Sequence, residues 1–421
     1  MIKLFKNRNF AALFFGRTIS NFGDSLYAIA AIWLVYELGG STFYTGLAGF
    51  LTMAPGMLQF LIGPIVDRVS LKKLLVVTQL IQFIFVLSIP LLHYIGVLNV
   101  TLLLIIMPIL ACINQFIFPA QSAALPRIVE TDDLVGANSL FSFANSGVNI
   151  LANSFWGVLI TIIGAINIYF FDAFLFLITI FIFLLFSYSE PTELKVKSEI
   201  GTLKGHTKRY INDLLDGYKF VRGSIISKFF YGSIAANFSF GIALAVLPAY
   251  SSSRGGVELY GIFMGTYSAG YLCGVILSPY LKRFNFGKMV ITSFFISSLF
   301  WLSSVFVSSN ILSIIIFGIA LIPLGAAEVT MAAVGQRIIP QQYLARTFSL
   351  IASISASAMP LGSLFGGYIG TVSNSHLGFA IGGLGMLFVS LAWVIIPQLR
   401  RLPKIDEIDS KKYFANQNET V

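Results

Sequence analysis

Arg127-Ile128-Val129, followed by Leu134 and by Ser139-Leu140, returns later in the chain as Arg337-Ile338-Ile339, Leu344 and Ser349-Leu350. The offset is a constant 210 residues in a chain of 421. A second set agrees: Gly46, Pro64, Arg68 and Lys73 align with Gly261, Pro279, Arg283 and Lys288 at an offset of 215. Both offsets are about half the chain, so the sequence reads as two copies of one unit. A duplicated fold places its working site between the copies.

Composition says what each copy is made of. Hydrophobic residues make up 57% of the chain and charged residues 11%, with a mean hydropathy of +0.85. A soluble surface needs roughly a quarter of its residues charged, so most of this chain faces lipid. That excludes a cytosolic enzyme and a disordered chain. The two cysteines, Cys112 and Cys273, lie inside apolar runs, so a disulfide-stapled secreted domain is excluded as well. Crossing the hydrocarbon takes about 20 apolar residues in a helix, which satisfies its own backbone. Twelve stretches qualify: 10–36, 42–65, 74–95, 100–122, 137–163, 166–187, 225–250, 257–281, 288–308, 311–334, 346–372 and 376–398. Lys3, Lys6 and Arg8 lead straight into the first span, which is too long for a signal-peptide core, so no cleavable signal is expected.

Basic loops stay in the cytoplasm. Placing the N-terminus there leaves only Arg254 outside, while Arg17 lies within a span and the other 25 of 27 basic residues fall at the termini, in loops after even-numbered spans or at the cytoplasmic ends of the spans that follow them. Both termini are therefore expected in the cytoplasm, and the net charge of +9 is a topology signal rather than a nucleic-acid surface. The expected layout is a six-helix half over 1–189, a cytoplasmic linker over 190–224, a second six-helix half over 225–400 and a cytoplasmic tail over 401–421. In the linker, Leu214, Leu215, Tyr218 and Val221 recur at helical spacing, predicting a short amphipathic helix unless the segment is a solvated connection. The tail after Pro403 is charged, lacks an apolar period and is expected to be mobile.

Two same-orientation six-helix halves joined by a cytoplasmic linker resemble the major facilitator superfamily over nearly the whole chain. Gly63-Pro64-Ile65-Val66-Asp67-Arg68, trailed by Lys72 and Lys73, is similar to that family's signature in the loop between helices 2 and 3, with Ser70 where glycine is usual. Arg17, Ser20, Gly23-Asp24, Tyr36-Glu37-Leu38-Gly39-Gly40-Ser41, Pro119-Ala120-Gln121 and Leu125-Pro126-Arg127 resemble the branch containing macrolide exporters and the enterobactin exporter. The resemblance implies an all-helical membrane fold, alternating access and export. It also implies that Asp67 and Arg68, with Lys72 and Lys73, form a cytoplasmic gate, the acid approaching the N-terminal end of helix 11. The basic residues alone are also explained as topology signals.

A charge inside the membrane is a functional candidate by default. Arg17, Ser20, Asn21 and Asp24 stand at i, i+3, i+4 and i+7 and so share one helix face. Asp24 is about 21 Å along a helix entering from the cytoplasm, close to the bilayer midplane. An acid there can alternate between protonated and ionised as a conformational change moves Arg17 or admits water. The other reading is that Arg17 and Asp24 neutralise each other, directly or through Asn21, to hold the helix in register. Glu328 follows Pro323 and Gly325, where helix irregularity opens backbone to a cavity, and is a candidate substrate or second proton site. A packing role for it stays open.

The superfamily lines its cavity with helices 1, 4, 7 and 10, so Asn21, Tyr27, Asn114 and Gln115 join Glu328 as cavity candidates. Asn145 and Asn149 belong to a stripe with Asn138 and Asn153 that lines the path or bonds the opposite half. Two departures count against proton coupling. The fourth span has Asn114 and Gln115 where many coupled members carry Arg, and the fifth has Ala152-Asn153 where Gly-Pro is frequent. Asp172, in a helix peripheral in the superfamily, reads as structural or interfacial.

No phosphate-binding Gly-x-x-x-x-Gly-Lys loop occurs, so no nucleotide drives the chain. His93, His206 and His376 are scattered, leaving no metal-ligand spacing, and no cofactor is expected. The expectation is a secondary transporter, not an enzyme. It exports a small drug- or macrolide-like amphiphile against protons, as a monomer in contact with membrane lipid. The alternatives are a siderophore or metabolite exporter and, more remotely, a receptor or scaffold. An anionic siderophore calls for cavity cations, of which Arg17 is the clear one, whereas the two acids suit a neutral or cationic compound.

Overall fold

The computed structural model describes residues 2–61, 69–130, 133–134, 136–138, 140–141, 143–145, 147–148, 159, 162–187, 225–338 and 341–408. Their secondary structure is helical, with one isolated β-bridge between Asn285 and Lys404 among them. The helices are α1 (Arg8–Gly39), α2 (Thr42–Met53), α3 (Leu71–Tyr94), α4 (Val100–Asn114), α5 (Ile117–Ile128), α6 (Ala165–Leu184), α7 (Ile225–Ser252), α8 (Val257–Leu277), α9 (Phe286–Phe306), α10 (Asn310–Ile338), α11 (Gln341–Val372), α12 (Ser375–Ile395) and the single turn α13 (Pro397–Arg400). Eight of them, α1, α3, α6, α7, α8, α9, α10 and α12, are long and apolar enough to cross a membrane. Most of the expected fifth span, the linker helix, Asp67, Arg68, Asn149 and the last residues of the tail lie outside the described residues.

Local chemistry sets the ends. Asn7 caps α1, its Oδ1 accepting from the N–H groups of Asn9 and Phe10 at 3.0 and 3.2 Å. Gly40 stops the same helix at φ 63°, and its N–H returns to the Tyr36 carbonyl at 2.8 Å. The expected fourth span, 100–122, is interrupted: α4 ends at Asn114 and α5 begins at Ile117. Pro119 accounts for the interruption, since proline has no N–H to donate to the carbonyl four residues earlier, at Gln115. Pro55 does the same to the second span, which tightens into a 3₁₀ segment over Ala54–Leu61.

The chain divides into two compact units, Met1–Gly40 with Leu51–Arg209 and Ser41–Phe50 with Tyr210–Val421. In the first, α6 packs against both α1 and α3. Its core at one end joins Phe10, Leu13, Leu71, Leu75, Leu125 and Phe183, with Phe5 and Phe14 against them. In the second, α7 packs against α11 and α12, α8 against α10, and α9 against α10 and α12. Trp301, Phe317 and Phe379 interlock at centroid distances of 5.1–5.4 Å. Large apolar side chains such as Phe174, Phe306, Ile311 and Ile395 point outward, as a lipid-facing surface requires.

Lipid is as apolar as leucine, so helices in a membrane associate through close packing rather than through expulsion of water. α8 and α10 show this directly. A Cβ on Gly274 would clash with the Ile322 carbonyl, and one on Gly325 would clash with that of Tyr271. The two backbones therefore touch, which brings α8 side chains against those of α10.

The tail departs from the expected mobility up to Ile408. Leu402, Ile405 and Ile408 recur every three residues and are buried, and the Phe286 N–H donates to the Pro403 carbonyl at 2.9 Å. The charged residues between them hid this short apolar period.

Candidate functional site

The first unit contains a polar network centred on α1. Arg17 is buried, and its Nε donates to Gln121 Oε1 on α5 while Nη2 donates to Asn21 Oδ1, both at 2.8 Å. Asn21 Nδ2 continues the chain to Asn145 Oδ1 at 3.2 Å. The remaining nitrogen, Nη1, is buried without a partner among the described residues. Asp24 is half-buried. Its Oδ1 accepts from Gln82 Nε2 on α3 at 2.8 Å, its carboxylate also accepts from Asn114 on α4, and Gln79 supports Gln82 at 3.0 Å.

The shared face expected for Arg17, Ser20, Asn21 and Asp24 is thus occupied by amides from α3, α4 and α5. No direct ion pair joins Arg17 to Asp24 among the described residues, although the two charges attract through space and Arg17 bonds Asn21. Seven residues separate them, about 10 Å along the axis, and each has its own amide partners. Ser20 is fully buried on the same face, its hydroxyl unpartnered among the described residues. A carboxylate held by neutral amides, with a guanidinium nearby but not bonded to it, can gain or lose a proton without breaking a salt bridge.

Other candidates sit less centrally. Tyr27 lies against Tyr169 of α6 with ring centroids 6.2 Å apart. Gln115 Nε2 turns back to the Ala111 carbonyl at 3.4 Å. Lys72 Nζ caps the end of α6 at the Leu184 carbonyl, 2.7 Å away, and Lys73 is exposed.

In the second unit, Glu328 is exposed on α10 between buried Ala327 and Thr330, and its Oε2 accepts from the Tyr271 hydroxyl of α8. Tyr271 stacks on Tyr267 at 6.4 Å, and Phe240 of α7 meets the Tyr267 ring edge-on at 5.7 Å. The site is a carboxylate at the end of an aromatic row, made possible by the close approach of α8 and α10. Spacing within one helix cannot reveal Tyr271 or Tyr267, nor Gln79, Gln82 and Gln121. The available signal was that amides and tyrosines this deep in apolar spans need partners.

Three comparisons match this architecture. The sequence matches the family described as transmembrane secretion effector over residues 3–420. It is 24% identical over 417 residues to YvqJ of Bacillus subtilis (strain 168), described as an uncharacterised MFS-type transporter, covering 96% of each chain. It is 27% identical over 295 residues to YkuC of the same organism, described in the same way, covering 66% of each. Among solved structures it resembles the nucleoside transporter NupG, with a TM-score of 0.72, 11% identity and coverage of 92% of this chain and 98% of that one. It also resembles a bacterial homologue of the human lysosomal transporter Spinster, in an inward-facing and occupied conformation, with a TM-score of 0.68, 13% identity and coverage of 97% of both. At such identities the structural likeness speaks for fold alone. These relatives are transporters and not enzymes. With its apolar helices, its polar networks buried inside them and a family match running almost end to end, the chain belongs to the transmembrane secretion effector family of the major facilitator superfamily and is a multi-pass membrane transporter.

Proposed function

We propose that this transporter exports a small amphiphilic compound, drug- or macrolide-like in character, from the bacterial cytoplasm in exchange for protons. The observation that carries this is the Asp24 carboxylate, held in the first unit by Gln82 and Asn114 within electrostatic reach of Arg17, which bonds Gln121 and Asn21 instead. Amides stabilise either protonation state of an acid, so the site can load and release a proton during each cycle. Arg17 tunes that acid through space.

Glu328 supplies the second element. A carboxylate flanked by Tyr271, Tyr267 and Phe240 suits a neutral or cationic amphiphile, because aromatic faces attract cations and bury apolar surface. It disfavours an anionic siderophore. Asn21, Asn114 and Asn145 fit polar contacts to such a substrate, and Asp67 with Arg68, Lys72 and Lys73 fits the cytoplasmic gate. The same reading takes twelve spans, both termini cytoplasmic, and a monomer in lipid.

Proton release in energised inside-out vesicles tests it, with macrolides, lipophilic cations and siderophores as the panel. Macrolides or lipophilic cations should release lumenal protons, and Asp24→Asn should abolish that release while the protein still reaches the membrane. Normal coupling in that variant removes Asp24 from the mechanism. Asp67→Asn should slow cycling without changing which compounds compete, and an altered range of competitors would count against the gate.

A further inference from the structure

A second acid lies within electrostatic reach of the first. Asp172 lies in the second turn of α6, is fully buried, and has no hydrogen-bond partner on either carboxyl oxygen among the described residues. Among the described residues, α1 and α3 pack against its helix. On α1, a Cβ on Gly23 would stand 2.6 Å from Asp172 Oδ1, the charge of Asp24 reaches it through space, and the Tyr27 hydroxyl within electrostatic reach is buried and unbonded among the described residues. On α6 itself, Tyr169 precedes it and Phe176 follows, the latter also touching Gly23. The α3 helix, which packs against α6, carries the buried amides Gln79 and Gln82, turned to each other and to Asp24, with Lys72, Lys73 and His93 at its ends. Arg17 is committed to Gln121 and Asn21.

An ionised carboxylate in such a place is very costly, because it has lost water and, among the described residues, gained neither a cation nor a donor. As a neutral acid it forfeits only ordinary hydrogen bonds. The contact with Gly23 leaves no room for a water between that backbone and Oδ1. Resting on the antiport reading above, we propose that Asp172 is a second proton carrier: it holds its proton while Gly23 is closed against it and releases it only when α6 parts from α1. In the release step the O–H bond of the carboxyl breaks, and the proton passes to an entering water or to the Asp24 carboxylate. The electron pair stays on Asp172, which the same water then solvates. Asp24, half-buried and amide-bonded, is the accessible partner, and Asp172 is the occluded one.

Infrared spectra of the full-length protein in lipid nanodiscs test this without any substrate. Wild type at neutral pH shows the carbonyl stretch of a protonated carboxylic acid that Asp172→Asn lacks and Asp24→Asn keeps. Asparagine copies the shape of the neutral acid, so Asp172→Asn folds with wild-type thermal stability. A wild type without the band, or an Asp172→Asn protein that fails to assemble, overturns the proposal. In proteoliposomes with erythromycin and tetraphenylphosphonium as probes, Asp172→Asn lowers probe-driven proton release by about tenfold or more and flattens its pH profile. An unchanged profile also overturns the proposal, since it leaves Asp172 a packing residue. A wild-type protein that moves neither probe nor protons overturns the antiport reading instead, and the band then still locates a proton on Asp172.

Discussion

Arg17 is held by geometry as much as by charge. Its Nε and Nη2 reach two amides in different directions, Gln121 and Asn21, a fork that the single ammonium of lysine does not reproduce. Arg17→Lys should therefore keep the charge near Asp24 yet lose hydrogen bonds together worth about 1.5–3 kcal/mol or more. A lowered midpoint in detergent thermal unfolding, with proton release reduced but present, is the expected outcome; full stability in that variant would show the fork to be unimportant. At Glu328 the hydroxyl of Tyr271 is the only donor contact described, so Tyr271→Phe should leave the acid unsupported while sparing the aromatic row. Competition by lipophilic cations should weaken less in Tyr271→Phe than in Glu328→Gln, because the former keeps both the ring and the charge.

Among the elements, the contact of α8 with α10 has the least slack. Gly270, Gly274 and Gly325 each meet a carbonyl of the opposing helix closely enough to exclude a Cβ. Gly274→Ala should force the helices apart and cost about 1–3 kcal/mol, the usual toll of overpacking. It should also carry Tyr271 away from Glu328, so thermal stability and cation competition fall together. A loss of stability with unchanged competition would separate packing from the site. Proline explains the elements the composition left too long: Pro119 divides the fourth span into α4 and α5, and the division presents Asn114 to Asp24 and Gln121 to Arg17. A helix break is here a positioning device.

For the whole molecule, the distribution of Lys and Arg makes a claim that can be checked directly. Fusions that fluoresce only in the cytoplasm should be bright at both the N-terminus and residue 421, and a cysteine placed at Arg254 should react with an impermeant thiol reagent from outside intact cells. A dark C-terminal fusion would break the pairing of the halves on which the export reading rests.

Much of this was legible without coordinates, and the reason is locality. Apolar length, basic loops and the recurrence of Arg127 to Leu140 at Arg337 to Leu350 are properties of neighbouring residues, and they suffice for a duplicated helical membrane protein with Arg17 and Asp24 on one helix face. The family followed from the same local motifs. What each charge touches is set between helices, where register depends on which small residues let backbones approach and where prolines bend the axis. So the sequence named Asp24 and Glu328, while only the tertiary structure decided that amides from three other helices hold Arg17 and Asp24, that Tyr271 completes Glu328, and that the missing Cβ of Gly23 makes room for the buried carboxyl of Asp172.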